Sequence, residues 1–236
     1  MSHTTGKPAS LIAAALATAT ICVPSFAQSD ETLNTIKLGY ASILFNTDSG
    51  ELAGPPGSTP PGATADVRNT HTLGLVYVRK LAGPWSIVGQ GGLPPIVKFN
   101  GAGSAAALGQ VGSARAWFPA VMAGYSMPRL MGVEPYVGAG LNFTKFTGNH
   151  ITGSYTTAFG GTSSHGNLKN SVGPIAKLGA EIPVAGRWLL DLSYTRYWIR
   201  TTAAITTNTP SVGDIERRIH VRADPDVFAL MVGYRF

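Results

Sequence analysis

The sequence predicts an all-β fold: an eight-stranded antiparallel up-and-down transmembrane β-barrel with short periplasmic turns and long extracellular loops. Three observations predict it. Apolar residues alternate with small or polar ones at period 2 in segments of about ten residues. Past the N-terminus no stretch holds the roughly 18 consecutive apolar residues of a membrane-crossing helix. The connections between segments are by turns short and long, as in a barrel threaded up and down whose strands need ~9–11 residues to cross.

Taken in order, residues 1–27 read as a leader rather than a strand. Lys7 supplies a positive start, Leu11 to Val23 is an apolar run too short to span as a helix, and Ser25-Phe26-Ala27 places small residues at a cleavage site after Ala27. The barrel domain is then 28–236. Its first strand is expected over Ile36 to Phe45 and its second around Leu73, Leu75 and Tyr77. The third and fourth are expected over Trp85 to Lys98 and Ala114 to Met127, with weaker alternation. The fifth carries Val137, Ala139, Leu141 and Phe143 on one face, and the sixth Ala176, Leu178, Ala180 and Ile182. The seventh carries Trp188, Leu190, Leu192, Tyr194 and Trp198, and the eighth Phe228, Leu230, Val232, Tyr234 and Phe236. Short turns fall near Leu81 to Pro84, Arg129 to Val133 and Val184 to Arg187. Long Gly-, Ser- and Thr-rich loops are expected at Thr47 to Arg68, Phe99 to Gly112, Gly148 to Lys169 and Ala204 to Asp214.

Alternation alone does not say which face meets lipid, because a soluble lipocalin-like barrel is the mirror reading. The broad face is apolar and ends in aromatics, as interfacial belts require: Tyr77, Trp85, Tyr125, Trp188 and Tyr234 at one end, Phe143, Tyr194 or Trp198, and Phe228 at the other. The opposite face is small, with Gly39, Gly74, Gly138, Gly140 and Gly179, which suits a narrow lumen. Composition agrees: only 13% of the residues are charged, against roughly a quarter in soluble domains. Cys22, the single cysteine, falls in the leader, so the barrel domain offers no disulfide and no thiolate metal site. The net charge of +6 in an exported chain points to an anionic membrane surface rather than nucleic acid.

Several segments carry a family resemblance: LNTIKLGYAS (Leu33 to Ser42), HTLGLVY (His71 to Tyr77), WFPAVMAGY (Trp117 to Tyr125), EPYVGAGLNFTKF (Glu134 to Phe146), RWLLDLSYTRY (Arg187 to Tyr197) and VRADPDVFALMVGYRF (Val221 to Phe236). With them the chain resembles the OmpW family of outer-membrane proteins, which includes the alkane-uptake relative AlkL. The resemblance implies the outer membrane of a Gram-negative bacterium. It also implies a narrow, partly hydrophobic passage that admits small apolar molecules and releases them sideways through the barrel wall. Asp226 departs from the aromatic that relatives often carry after the Asp-Pro pair.

Particular residues follow from these readings. Phe45, Met122, Phe146 and Tyr197 are expected to line the outer half of the passage. Pro94, Pro95 and Pro119 cannot donate ladder hydrogen bonds and mark a candidate opening between the third and fourth strands. Lys37, Arg115, Lys177, Glu181, Asp191 and Arg235 are expected in the lumen. There Lys177 is expected to pair with Glu181 or Asp191 across adjacent strands, as a plug against axial ion flow. Arg196, Arg200, Arg218 and Arg222, beside His220, form an outward rim suited to lipopolysaccharide phosphates. Tyr234 and Phe236 resemble the signal read by the outer-membrane assembly machinery. No metal and no cofactor is expected, since the histidines lack ligand spacing. Ser164-His165 lacks an orienting acid and a nucleophile elbow, so no enzyme is expected. The expected function is passive passage of small hydrophobic compounds through the lipopolysaccharide layer; a structural or adhesive barrel with a filled lumen is the alternative.

Overall fold

The computed structural model describes residues 33–236, so the expected leader lies outside the described residues. The described strands, in chain order, are β1 (Asn34–Leu44), β2 (Asp48–Ser49), β3 (Ala63–Val67), β4 (Thr70–Lys80), β5 (Trp85–Gly92), β6 (Ile96–Gly103), β7 (Gln110–Trp117), β8 (Ala120–Ser126), β9 (Glu134–Ile151), β10 (Ser163–Leu168), β11 (Ser171–Ala185), β12 (Trp188–Tyr197), β13 (Arg200–Thr209), β14 (Gly213–Arg222) and β15 (Asp226–Arg235). One short helix, α1 (Gly153–Ala158), lies between β9 and β10.

Eight strands close a lower tier in the order β11-β12-β15-β1-β4-β5-β8-β9, and β9 pairs back to β11. Every pairing is antiparallel. The fold is a closed eight-stranded antiparallel barrel. In this tier side chains sort by parity: Leu38, Leu75, Val121, Leu141, Leu178, Leu192 and Leu230 are exposed on the outer wall, and Lys37, Ser86, Lys177, Asp191 and Ser193 are buried within. Two edge-to-face pairs, Trp85 with Tyr125 and Trp188 with Tyr234, their ring centroids 5.1 and 5.0 Å apart, belt the end of the short turns. Neighbouring strands come so close in places that only hydrogen fits. A Cβ at Gly39 would stand 2.1 Å from the Leu230 carbonyl oxygen, and one at Gly140 2.0 Å from that of Val121.

Above this tier the expected long loops are largely β-structure. Strands β3, β6, β7 and the upper part of β9 form one wall, and β10, β13, β14 and β2 another. The continuous third and fourth strands expected from Trp85 to Lys98 and from Ala114 to Met127 are each two strands, broken at Leu93-Pro94-Pro95 and at Phe118-Pro119. Proline removes the donor a continuing ladder needs. Similar breaks fall at Phe45-Asn46-Thr47, Arg68-Asn69, Lys169-Asn170, Trp198-Ile199 and Ala223-Asp224-Pro225, where Asp224 takes a positive φ of 26°. Only β9 runs unbroken through both tiers.

The polarity of the wall inverts across these breaks. In the upper tier Ala63, Val67, Val97, Ala114, Ala116, Ile205, Ile219 and Val221 point inward and are buried. Lys98, Arg115, Arg218, His220 and Arg222 point outward. Each buried Val or Ile contributes roughly 1.5–3 kcal/mol relative to exposure, so the upper tier holds itself together as a water-soluble barrel does. Arg115, expected in the lumen, is on the outside, because Ala114 and Ala116 occupy the inward places beside it.

Candidate functional site

The lower lumen is filled by paired charges. Lys37 Nζ lies 2.6 Å from Asp191 Oδ2 and 2.7 Å from Glu181 Oε1. Arg235 reaches Glu181 at 2.6 Å and Glu134 at 2.5 Å, and Tyr136 donates its hydroxyl to Asp191 at 2.7 Å. Lys37 and Asp191 are 2% and 0% exposed, burial that an unpaired charge would not tolerate. Glu181 and Asp191 stand directly opposite on β11 and β12, so the two carboxylates need a cation between them. That cation is Lys37, reaching in from β1, and not Lys177 as expected. Parity shows which side chains enter a lumen; which of them meet depends on how the barrel closes. Lys177 donates to Gln90 Oε1 at 2.7 Å, and Gln90 donates to the Tyr197 hydroxyl at 2.6 Å.

Tyr197 and Phe118, edge to face at 5.7 Å, form with Gln90 a floor over this plug. Above the floor is an apolar chamber with a cavity volume of about 90 Å³. Ile43, Phe45, Phe146 and Val227 surround its base; Val67, Val97, Ala116, Ile205, Ile219 and Val221 line its walls. Below the floor, smaller gaps of about 20 and 30 Å³ lie beside Gly91 and Thr195 and beside Lys37 and Ser86. Helix α1 and the turn after it lie over the chamber. Tyr155 is buried and stacks with Phe159 at 4.5 Å, and Phe159 packs on the cluster containing Val97, Ala116 and Ile219. The Arg217 guanidinium lies 4.4 Å from the Phe159 ring, and its Nε donates to the Ser58 carbonyl oxygen at 2.9 Å. Burial pushes the Tyr155 phenol up to about 12, so it stays neutral under the apolar roof.

Three places in the wall lack a ladder; at one of them, between β2 and β3, the Ser49 and Thr47 hydroxyls accept from the Ala65 and Val67 amides instead. Pairing of β5 with β8 stops at Gln90–Ala120, and pairing of β6 with β7 resumes at Ile96–Arg115, leaving Gly91 to Pro94 and Trp117 to Pro119 between. Leu93, Ile96 and Trp117 around this proline break are exposed on the outer wall. Further up, pairing of β9 with β11 ends at Thr144–Ser171, and no ladder joins the rest of β9 to β10. Across this seam a Cβ at Gly166 would meet Ile151 Cδ1 at 2.8 Å, so side chains close it without hydrogen bonds.

Of the residues singled out for the passage, Phe45, Phe146 and Tyr197 line the chamber. Met122 does not; it faces Val88 two residues below the Gln90–Ala120 pair and lies under the floor. Pro94, Pro95 and Pro119 flank the break without lining the chamber, whereas Phe118, beside Pro119, does line it. The expected rim divides. Arg196 is tied to Asp226 at 2.8 Å, where Tyr194 and Asn46 also donate to the carboxylate. Asp226 is thus a polar clasp at the level of the breaks. Arg218 pairs with Glu216 higher up, and Arg200 and Arg222 face each other on β13 and β14. Tyr234 packs in the lower belt, and Phe236 exchanges backbone hydrogen bonds with Asn34. Ser164 points inward to Thr156 and Thr207 while His165 points outward, so the two do not meet. Among the described residues no group of three or more His, Cys, Asp or Glu is arranged to hold a metal. Gln90, Phe118 and α1 were missed by sequence reasoning. A lone Gln at the end of a Gly-flanked strand carries no local signal for a floor.

Comparison with known proteins agrees with this architecture. The dibenzothiophene metabolism operon protein PahQ of Pseudomonas aeruginosa is 24% identical over 221 residues, covering 91% of this chain and 94% of the relative. The crystal structure of the outer membrane protein OprG from Pseudomonas aeruginosa superposes with a TM-score of 0.74 at 23% identity, covering 86% of this chain and 95% of that one. The solid-state NMR structure of the outer membrane protein AlkL in lipid bilayers gives 0.59 at 18% identity, over 91% and 95% of the two chains. These likenesses carry the fold, and the family indicates the outer membrane of a Gram-negative bacterium. The profile of the OmpW family matches residues 37–236, and this chain, an outer-membrane barrel, belongs to that family.

Proposed function

We propose that the protein lets small hydrophobic molecules pass through the lipopolysaccharide layer by diffusion, taking them into the upper chamber and releasing them sideways through the wall. The observation that carries this reading is the apolar chamber standing on a charge-paired plug. A hydrophobe gains by entering the chamber. It gains nothing by going on among Lys37, Glu181 and Asp191, where it would separate buried ion pairs. A filled lower lumen also fits the structural or adhesive alternative, but a roofed apolar chamber does not. The similarity to a dibenzothiophene metabolism operon protein supports apolar cargo, since dibenzothiophene is a fused aromatic. No side chain in this reading performs covalent chemistry.

For the exit, the reading favours the break at Pro94, Pro95 and Pro119. It opens among outward Leu93, Ile96 and Trp117, within the apolar band, and Phe118 and Tyr197 stand between it and the chamber. Unladdered backbone is compatible with a membrane where it lines a cavity. The β9–β10 seam is the second reading, because Ile151 and Gly166 line the chamber on its two sides. Cleavage after Ala27 and recognition of Tyr234 and Phe236 during assembly belong to the same proposal.

Uptake of an alkane or fused aromatic, measured in cells against a polar solute, tests the function; equal effects of the protein on both cargoes would refute it. Two thiol-linked pairs separate the exits. Joining Leu93→Cys to Trp117→Cys should abolish apolar uptake, whereas joining Ile151→Cys to Gly166→Cys should leave it unchanged. The reverse outcome moves the exit to the seam.

A further inference from the structure

The excess of positive charge has an address on the outer wall. On one side of the upper tier Arg68, Lys98, Arg115 and Lys145 point outward; on the other side Lys169, Arg200 and Arg222 do. The ladders make them a girdle. The Arg68 amide donates to the Lys98 carbonyl at 3.0 Å, Lys98 pairs with Ser113 two residues from Arg115, and Arg115 pairs with Thr147 two residues from Lys145. Beyond the seam the Lys169 amide donates to the Thr202 carbonyl at 3.0 Å, and Arg200 pairs with Arg222. Along each paired strand the steps are about 7 Å, two residues of extended chain.

Two observations point from this girdle to a ligand. Arg200 and Arg222 are directly opposite on neighbouring strands, an arrangement that destabilises a sheet unless an anion bridges it. Among the described residues the only carboxylate within 4 Å of any girdle cation is Asp48, 3.8 Å from Arg222. Lys169, Arg200, Arg222 and His220 converge on an outward cleft of about 520 Å³, open to solvent, which Asp48 also lines. Its height identifies the anion. Val172, three residues below Lys169, is 68% exposed on the outer wall, and Phe143 beside it on β9 is also exposed, so hydrocarbon ends just under the cleft. Phosphates of the outer leaflet lie at that level, and guanidinium forks match their oxygens.

We propose that the cleft formed by Lys169, Arg200 and Arg222 binds a phosphate of an outer-leaflet phosphoglycolipid, whose acyl chains lie on the wall below around Val172. The site rests on the outer-membrane reading of the barrel but not on the uptake of apolar cargo. It replaces the expected four-arginine rim, since Arg196 is engaged by Asp226 and Arg218 lies four residues above Arg222.

The test uses the full-length protein in zwitterionic nanodiscs, titrated with bisphosphorylated lipid A and with its dephosphorylated form. The wild type should bind the phosphorylated lipid at least about tenfold more tightly than the dephosphorylated one, and Lys169→Gln/Arg200→Gln/Arg222→Gln should lose that preference. Millimolar inorganic phosphate should not displace the lipid, and Arg218→Gln should bind as the wild type does. Equal binding of both lipids, or a triple variant that keeps the preference, overturns the site. Displacement by inorganic phosphate makes it a soluble-anion site and overturns the lipid assignment. Heat-modifiable gel migration, measured on every variant, reports separately whether the barrel folds and inserts.

Discussion

The two tiers of this barrel solve opposite problems with the same strands. Below the breaks, leucines face out and Lys37, Asp191 and Ser193 face in; above them, Arg200 and Arg222 face out and Ile205, Ile219 and Val221 face in. Solvent sets the rule: lipid outside demands an apolar wall, and water or sugar outside demands a polar one. The lower tier therefore buries its polar groups and must pair them, while the upper tier buries apolar groups and is left with a chamber.

If the lower tier depends on pairing, removing its central cation should have the largest effect. Lys37→Met leaves Glu181 and Asp191 opposite each other without their shared partner and should cost about 3–5 kcal/mol in urea unfolding from lipid vesicles. A loss below about 1 kcal/mol would mean that the lumen is wet and the plug loose. The outer wall gives the next contrast, with one residue type placed in both tiers. Leu192→Arg, within the apolar band, should cost about 2–4 kcal/mol, and His165→Arg, outward on β10, under about 0.5 kcal/mol. Similar costs at the two sites would erase the boundary between the tiers. The floor should give a smaller change than the plug or the apolar band. Tyr197→Phe loses only the hydrogen bond to Gln90 and keeps the edge-to-face contact with Phe118, so about 1 kcal/mol should be lost. A larger loss would show that the floor, rather than the plug, fastens the tiers together.

The lower tier was legible in the sequence because its alternation is strong and its belts are aromatic: Trp188, Leu190, Leu192 and Tyr194 can be read straight off the chain. The upper tier was not, for a physical reason. Its inward positions include small residues such as Ala63 and Ala203, and its outward ones mix Asp66, Arg200 and Thr202, so β3 and most of β13 look like loop. Choosing between a lipid-facing and a water-facing barrel also assumed one answer for the whole wall, whereas each half takes a different one. Lumen charges such as Lys37 and Asp191 could be listed by parity, but contacts across a closed barrel link strands far apart in the chain. Lys37 and Asp191, 154 residues apart, are such a pair.

Of the eight crossings, seven are interrupted where the polarity turns over, and β9 alone passes through without a break. Substitutions that reshape the chamber are thereby insulated from the register that lets the barrel insert. A lineage can reshape the chamber by drifting in the upper half, while the lower half goes on meeting the same lipid under the same selection. β9 is the exception: it carries Phe146 into the chamber and Gly140 into the tight lower wall on one continuous strand, so it is where the two histories have to agree.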